Sequence, residues 1–161
     1  RAPLFPPVVF ASRADGRRFG PVPDAEAPEF DTREVDTVEW LVAHEQIRQL
    51  ASRYAIALDA RDLDTLASLF VDDVQVGRSG TGRDALRANF EAQLASLRTT
   101  ILQVSNHVID IVDADRAIGL VSCRGEIERE GAWYVQSIRY HDTYERRGGR
   151  WFFVRRKHVL L

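Results

Sequence analysis

The second half of the chain alternates apolar and polar residues with a period of two, and this pattern constrains the fold more than any other feature. Four long stretches rich in β-forming residues show it: Ile101–Val112, Arg116–Arg129, Ala132–Arg146 and Trp151–Leu160. The short segments between them, 113–115, 130–131 and 148–149, have the residue types of tight turns. We therefore predict four strands in an antiparallel meander.

The first half of the chain carries apolar residues at helical spacing instead. A first helix begins near Asp36, a suitable N-cap with Glu39 three residues later, and its apolar face comprises Leu41, Ile47, Leu50, Ala51, Tyr54 and Leu58. Further along, the sequence predicts a short helix from Asp64, a short strand at Val74–Val76 and a third helix from Asp84 to about Arg98. Helices followed by a long sheet indicate an α+β domain whose helices cover one face of the sheet.

The first 35 residues form a separate region of the sequence. They are rich in proline and show no sustained periodicity, which predicts an extended arm and not a packed element. Leu4, Phe5 and Phe10 are too apolar for a solvated tail, so we expect the arm to dock on the domain or on a partner subunit. Residues 36–161 are expected to form one domain, because a chain of 161 residues buries one core.

Composition excludes several classes of function. A net charge of −2 gives no electrostatic reason to expect nucleic acid or an anionic membrane as a partner. No apolar run approaches the ~20 residues that span a bilayer, and residues 2–10 lack the pattern of a signal peptide, so we expect a cytoplasmic protein. Cys123 is the only cysteine, which excludes an intrachain disulfide. Histidines and carboxylates lack close ligand spacing, and phosphate-loop and dinucleotide motifs are absent, so we expect no metal and no cofactor.

Asp59 and His107 are the two residues whose chemistry most suggests catalysis. An imidazole that faces a carboxylate inside a pocket is a simple general base, because the carboxylate fixes the tautomer and stabilises the imidazolium. Each residue also has a structural alternative: His107 can be a core histidine bonded to a backbone carbonyl, and Asp59 can cap the turn that follows it. Whether the two side chains meet therefore decides the interpretation.

Several segments resemble one known family. These are residues 53–64 (RYAIALDARDLD), 69–73 (LFVDD), 105–107 (SNH) and 139–151 (RYHDTYERRGGRW). They resemble the SnoaL-like and scytalone-dehydratase-like members of the nuclear transport factor 2 superfamily, over about residues 36–161. The resemblance implies a cone-shaped α+β fold, in which a curved antiparallel sheet wraps around the N-terminal helices as in cystatin-like barrels and encloses an apolar pocket.

The resemblance also implies site residues. Relatives that catalyse eliminations use a pocket Asp–His pair, which maps to Asp59 and His107 and favours catalysis over the structural alternatives. A tyrosine of a bile-acid dehydratase maps to Tyr54, and an arginine of a dehydrochlorinase maps to Arg156. A second catalytic histidine of scytalone dehydratase has no counterpart at 126–128, where this chain has Glu-Ile-Glu.

The remaining candidates come from the last two strands. Alternation allows only one of two sets to face the pocket, either His141 or its neighbours Tyr140 and Asp142, and we favour the latter as substrate-binding residues. Arg156 has two interpretations, a pocket residue or a partner of Glu145 or another exposed acid in a cross-strand ion pair. Tyr54 can equally contact substrate or pack in the core.

Together these observations predict a cofactor-free lyase of the dehydratase type, acting on a hydrophobic cyclic or polyketide-like small molecule. His107 and Asp59 would remove a proton, assisted by Tyr54 or Arg156. Two alternatives stay open: an isomerase or cyclase with the same proton abstraction, or a non-catalytic protein that binds small molecules or resembles a dioxygenase small subunit. The apolar outer face of the sheet predicts a homo-oligomer, a dimer or trimer.

Overall fold

The computed structural model describes residues 9–12 and 37–161 of the chain. Within these residues, three helices and six strands follow one another in the order β1 (Val9–Ser12), α1 (Thr37–Asp59), α2 (Leu63–Ser68), β2 (Val74–Val76), α3 (Arg83–Leu94), β3 (Thr99–Ile111), β4 (Arg116–Arg129), β5 (Ala132–Arg147) and β6 (Arg150–Leu160). The predicted arm and the predicted N-cap Asp36 lie outside the described residues, apart from 9–12. None of the helices in 37–161 is long and apolar enough to cross a membrane.

All six strands belong to one antiparallel sheet in the order β2-β1-β6-β5-β4-β3. The meander from β3 to β6 is the one predicted, and its tight turns use residues in the left-handed region: Glu130 and Gly131 have φ of 54° and 77°. The two outer strands, β2 and β3, do not pair with each other, so the sheet is curved but not closed. The predicted α+β fold, with helices against one face of a curved antiparallel sheet, is confirmed.

Irregular pairing in the sheet decides which residues of β6 face inward. Trp151 and Phe153 are buried, and Tyr144 pairs with Phe153 while Thr143 pairs with Arg155, so Val154 is an extra residue. An extra residue reverses the alternation beyond it. The inward positions of β6 therefore change from odd to even numbers, and Arg156 becomes buried.

Helix α1 lies across the inner face of the sheet and runs antiparallel to β3. Ile47, Ala51 and Tyr54 are buried on its inner side. Near the start of α1, the ring of His44 lies beside the carbonyl of Ile109, and at its end Asp59 reaches Leu102. These two contacts fix how the helix is aligned with the strand.

Two helix boundaries differ from the prediction. Helix α2 begins at Leu63, because Asp62 serves as its N-cap and accepts a 3.0 Å hydrogen bond from the N–H of Thr65. Helix α3 ends at Leu94 and not near Arg98. Arg98 instead donates its backbone N–H to the carbonyl of Glu128, which begins the pairing of β3 with β4.

Candidate active site

A small cavity lies between α1, α3 and the inner face of strands β3 to β6. Its volume is about 70 Å³, and because water occupies ~30 Å³ in the liquid, it has room for about two water molecules. Leucine, isoleucine and phenylalanine side chains form most of its walls. The residues of the lining that carry polar atoms are Tyr54, Gln93, Gln136, Tyr140, Arg156 and His158.

Arg156 is a buried cation in the wall of this cavity. Its side chain is 2% exposed, and its guanidinium carbon lies 4.3 Å from the ring centre of Tyr54 and 3.9 Å from that of Tyr140. Cation–π contacts of this kind stabilise a desolvated charge. The predicted alternative, an ion pair with Glu145, is not formed, because Glu145 accepts a 2.8 Å hydrogen bond from Arg147 instead.

Among the described residues, the guanidinium of Arg156 has a counter-ion but no hydrogen-bond acceptor. Its Nε lies 3.5 Å from Oδ1 of Asp142, in an ion pair whose members are both buried. None of its three nitrogen atoms donates a hydrogen bond to any atom of the described residues. A buried charged donor without an acceptor is costly. The cavity beside Arg156 is therefore suited to an oxygen that carries, or develops, negative charge.

A chain of hydrogen bonds leads from Asp142 to His107. The hydroxyl of Tyr144 donates to Oδ2 of Asp142 at 2.9 Å, and Nε2 of His107 lies 3.1 Å from the same hydroxyl. Since the tyrosine proton is committed to the carboxylate, the network assigns the imidazole proton to Nε2. Asp142 thus balances the charge of Arg156 on one side and orients Tyr144 and His107 on the other.

Burial shifts the protonation of this network. It raises the pKa of Asp142 to about 6, although Arg156 and Tyr144 oppose the shift. Burial and then the positive charge of Arg156 lower the pKa of His107 to about 4. Burial also raises the pKa of Tyr54 to about 12 and that of Tyr140 well above its usual value. Near neutral pH, Asp142 is mostly ionised, His107 is neutral and both tyrosines keep their protons.

The structure does not bring Asp59 and His107 together. Asp59 accepts a 2.9 Å hydrogen bond from the backbone N–H of Leu102. His107 is five residues further along β3, about 16 Å at the rise of a strand. The alignment of α1 with β3 places it opposite Arg48 and Ser52, whereas Asp59 contacts Thr100 and Leu102 of β3. Burial raises the pKa of Asp59, against the hydrogen bond from Leu102.

His107 lines a second, open groove. The groove has a volume of about 320 Å³ and is lined by Arg48 and Ser52 of α1 and by Val104, Ser105 and His107 of β3. It lies at the bulge of β3, where the pairing with β4 shifts between Val104 and His107. The candidate site residues therefore divide into an interior cavity and an outer groove, joined through Tyr144 and Asp142.

Tyr54, Tyr140, Asp142 and Arg156 are the predicted residues that the structure does bring together. Two residues of the same region were missed, His158 and Tyr144. Each lies two positions after a predicted residue on the same strand, Arg156 and Asp142 respectively, and strand alternation would have found both. Within 38–161, no three histidine, cysteine or carboxylate residues cluster in a way that could hold a metal ion.

The comparison with protein families gives one match. The model of the SnoaL-like domain family matches residues 39–157, which include all of the helices and strands except β1, the first two residues of α1 and the end of β6. No curated protein matches the chain.

Solved structures provide the other similarities. A candidate scytalone dehydratase from Novosphingobium aromaticivorans is 26% identical, with a TM-score of 0.69 over 78% of this chain and 89% of that one. A hexachlorocyclohexane dehydrochlorinase of type 3 from Novosphingobium barchaimii is 22% identical, with a TM-score of 0.64 over 78% and 94% of the two chains. A Nostoc punctiforme protein with a cystatin-like fold is 19% identical, with a TM-score of 0.60 over 74% and 92%. At these last two identities the likeness concerns the fold alone.

Proposed function

The chain belongs to the SnoaL-like domain family, and we propose that it is a cofactor-free lyase acting on a hydrophobic small molecule, cyclic or polyketide-like, inside the Arg156 cavity. The observation that carries this proposal is the unsatisfied guanidinium. A cation whose donors face an apolar cavity stabilises an oxyanion far better than water does, because the site need not reorganise as the charge develops. The structural similarity to a candidate scytalone dehydratase supports the same class of reaction.

The proposed reaction begins with removal of a proton from a carbon next to a carbonyl group. The electron pair moves onto the carbonyl oxygen, where Arg156 stabilises the charge and Tyr54 and Tyr140, which line the same cavity, carry further hydroxyl donors. Return of the electrons expels a hydroxyl group from the neighbouring carbon, and it leaves as water once protonated. Asp142 keeps Arg156 in place, and Tyr144 and His107 keep Asp142 in place.

The predicted role of the Asp59 and His107 pair changes in this proposal. His107 acts as a positioning residue at the far end of the hydrogen-bonded chain, and Asp59 holds the end of α1 against β3 through Leu102. An isomerase would use the same oxyanion but return the proton to a different carbon. Product analysis separates the two reactions, since only the lyase releases water.

A non-catalytic interaction subunit, like the small subunit of a dioxygenase, is the second candidate, and one observation favours it over functions that need a bound ring. Ligand pockets commonly measure ~300–1,000 Å³, whereas the cavity beside Arg156 measures about 70 Å³. Catalysis on a ring-sized substrate therefore requires the wall formed by Phe90 and Leu94 of α3 to move outward. These two side chains of the wall are apolar and buried.

Kinetics on a small cyclic β-hydroxy ketone test the lyase proposal. Dehydration of 3-hydroxycyclohexanone produces a conjugated enone that is followed by its ultraviolet absorbance. Arg156→Gln alone would leave Asp142 buried without its counter-ion, which destabilises a protein by about 3–5 kcal/mol. We therefore compare Asp142→Asn/Arg156→Gln with Asp142→Asn, so that both proteins lack the carboxylate and only one lacks the cation.

The lyase proposal predicts that the double variant has a kcat about 10²–10³-fold below that of Asp142→Asn, with a smaller change in KM. Arg155→Gln is the matched control, because Arg155 precedes Arg156 and its side chain lies on the opposite face of β6. It should keep the rate of the unmodified protein. Equal kcat values for Asp142→Asn and the double variant, with both folded, would contradict the role of Arg156.

A further inference from the structure

The cavity needs a group that accepts a proton, and the residues around it limit the choice. Among the described residues, only four titratable side chains line the cavity: Tyr54, Tyr140, Arg156 and His158. An arginine stays protonated at any accessible pH, and burial raises the pKa of both tyrosines, so they are donors. Asp59 and His107 do not line the cavity. His158 is the remaining group that can take a proton near neutral pH.

His158 lies beside the residues that would hold the substrate oxygen. It is directly opposite Tyr140 in the register of β5 and β6, and the centres of the two rings are 5.6 Å apart. Arg156 is two positions earlier on the same face, so the Cα atoms of the two residues are about 6.6 Å apart along the strand. This spacing leaves room for a carbonyl group and its neighbouring carbon between guanidinium and imidazole, with a hydrogen bond of ~2.8 Å to the guanidinium.

The extra residue Val154 is what creates this arrangement. Without it, the inward residues after Phe153 would be 155, 157 and 159, and neither Arg156 nor His158 would reach the cavity. This one irregularity in β6 therefore places both the guanidinium of Arg156 and the imidazole of His158 at the cavity. Asp59 contacts Thr100 and Leu102 of β3, neither of which carries an imidazole.

We infer that His158 is the general base of the cavity, and that it acts on the α-carbon of a small cyclic β-hydroxy ketone whose carbonyl oxygen is held by Arg156. This inference rests on the proposed lyase function and names its base and its substrate class. Burial and Arg156 both lower the pKa of His158, so its imidazole is neutral near neutral pH.

His158 alone takes up and returns the proton, so the proposed reaction is balanced in protons and electrons. The imidazole takes the α-proton, and the C–H electron pair becomes an enolate whose oxygen is stabilised by Arg156. The enolate then forms the C=C bond as the C–O bond to the β-hydroxyl breaks. The imidazolium returns its proton to the departing oxygen, so water leaves and the neutral imidazole is regenerated.

Two measurements on the whole protein test proton abstraction by His158 separately from the complete dehydration. Exchange of the α-protons of cyclohexanone in D₂O, followed by proton NMR, reports proton abstraction without any leaving group. Dehydration of 3-hydroxycyclohexanone reports the complete elimination. His158→Gln is expected to lower both rates by about 10²–10⁴-fold, the usual contribution of a general base. His158→Asn serves as a second variant if the first fails to fold.

His141→Gln is the matched control. His141 is a histidine of β5 that alternates with Tyr140 and Asp142 and is exposed on the outer face of the sheet. It should keep both rates. Exchange without dehydration in the unmodified protein, lost in His158→Gln, would support the base and refute the lyase function.

Two results would overturn the assignment of His158. One is full activity of a folded His158 variant in both assays. The other is the absence of both reactions in the unmodified protein, which would overturn the lyase function as well.

Discussion

Arg156 and His107 show how strongly the position of one side chain decides its chemistry. Arg156 is buried against two tyrosine rings and keeps its charge because Asp142 lies beside it. His107 is at the other end of the same hydrogen-bonded chain, where burial and positive neighbours keep its ring neutral. One carboxylate thus supports a cation on one side and a neutral imidazole on the other.

The lowered pKa of His107 predicts a pH dependence of stability. Because its pKa is about 4 in the folded protein and 6.5 as a free side chain, the imidazole contributes stability that is complete above about pH 6.5 and is lost as the pH falls towards about 4. Asp142 acts in the opposite sense, since its raised pKa favours folding at low pH. His107→Gln removes the first effect and retains the second.

Urea unfolding of the two proteins between pH 4 and pH 7 measures the difference. We expect the unmodified protein to lose stability relative to His107→Gln as the pH falls through this window. A difference in free energy of unfolding that is constant with pH would show that His107 is not held neutral by its surroundings.

At the residue scale the sequence offered Tyr54, Tyr140, Asp142 and Arg156 as candidates, and their roles at the site stay predictions. Tyr54, Tyr140 and Arg156 line the cavity, and Asp142 lies beside Arg156 as its counter-ion. Asp59 and His107 were expected to meet and do not, because their encounter depends on how α1 is aligned with β3. Periodicity identifies the face of an element that turns inward but not its position along a neighbouring element.

At the scale of elements, the period-two pattern predicts the long strands but not the shifts in how they pair. The shift at Thr143 and Tyr144, with Val154 as the extra residue, changes the inward face of β6 and places Arg156 and His158 in the cavity. Nothing in the local sequence marks Val154, since valine is ordinary in strands. Its extra position depends on the packing of two strands on the helices.

Strand β4 approaches the hydrogen-bonded chain closely at one glycine. A Cβ atom on Gly119 would lie 2.8 Å from a ring carbon of Tyr144 and 2.9 Å from its hydroxyl oxygen. Tyr144 is fully buried and cannot move aside. We expect Gly119→Ala to lower the free energy of unfolding by about 1–3 kcal/mol, the usual cost of overpacking.

Gly125→Ala on the same strand is the control for this prediction. Its Cβ would meet the terminal methyl group of Ile138 at 2.9 Å, and the free end of a side chain yields more easily than a fixed ring. Urea unfolding should therefore show a smaller loss for Gly125→Ala. A loss as large as that of Gly119→Ala would show that the position of Tyr144 is not what limits the space.

At the scale of the molecule, the layered α+β fold was predictable because two periodicities divide the sequence cleanly. The partition of the site into an interior cavity and an open groove was not, since it depends on side chains from six elements, α1, α3 and β3 to β6. Trp133 and Val135 are about half exposed on the outer face of the sheet. They support the predicted homo-oligomer, which stays a prediction.

A crystal structure with cyclohex-2-enone, the product of the test reaction, examines most directly whether chemistry takes place in the cavity beside Arg156. We predict that the enone lies in the cavity, widened at α3, with its carbonyl oxygen ~3 Å from a guanidinium nitrogen of Arg156. An enone bound instead in the groove beside Arg48, Ser52 and His107 would contradict this prediction and place the site at the outer groove.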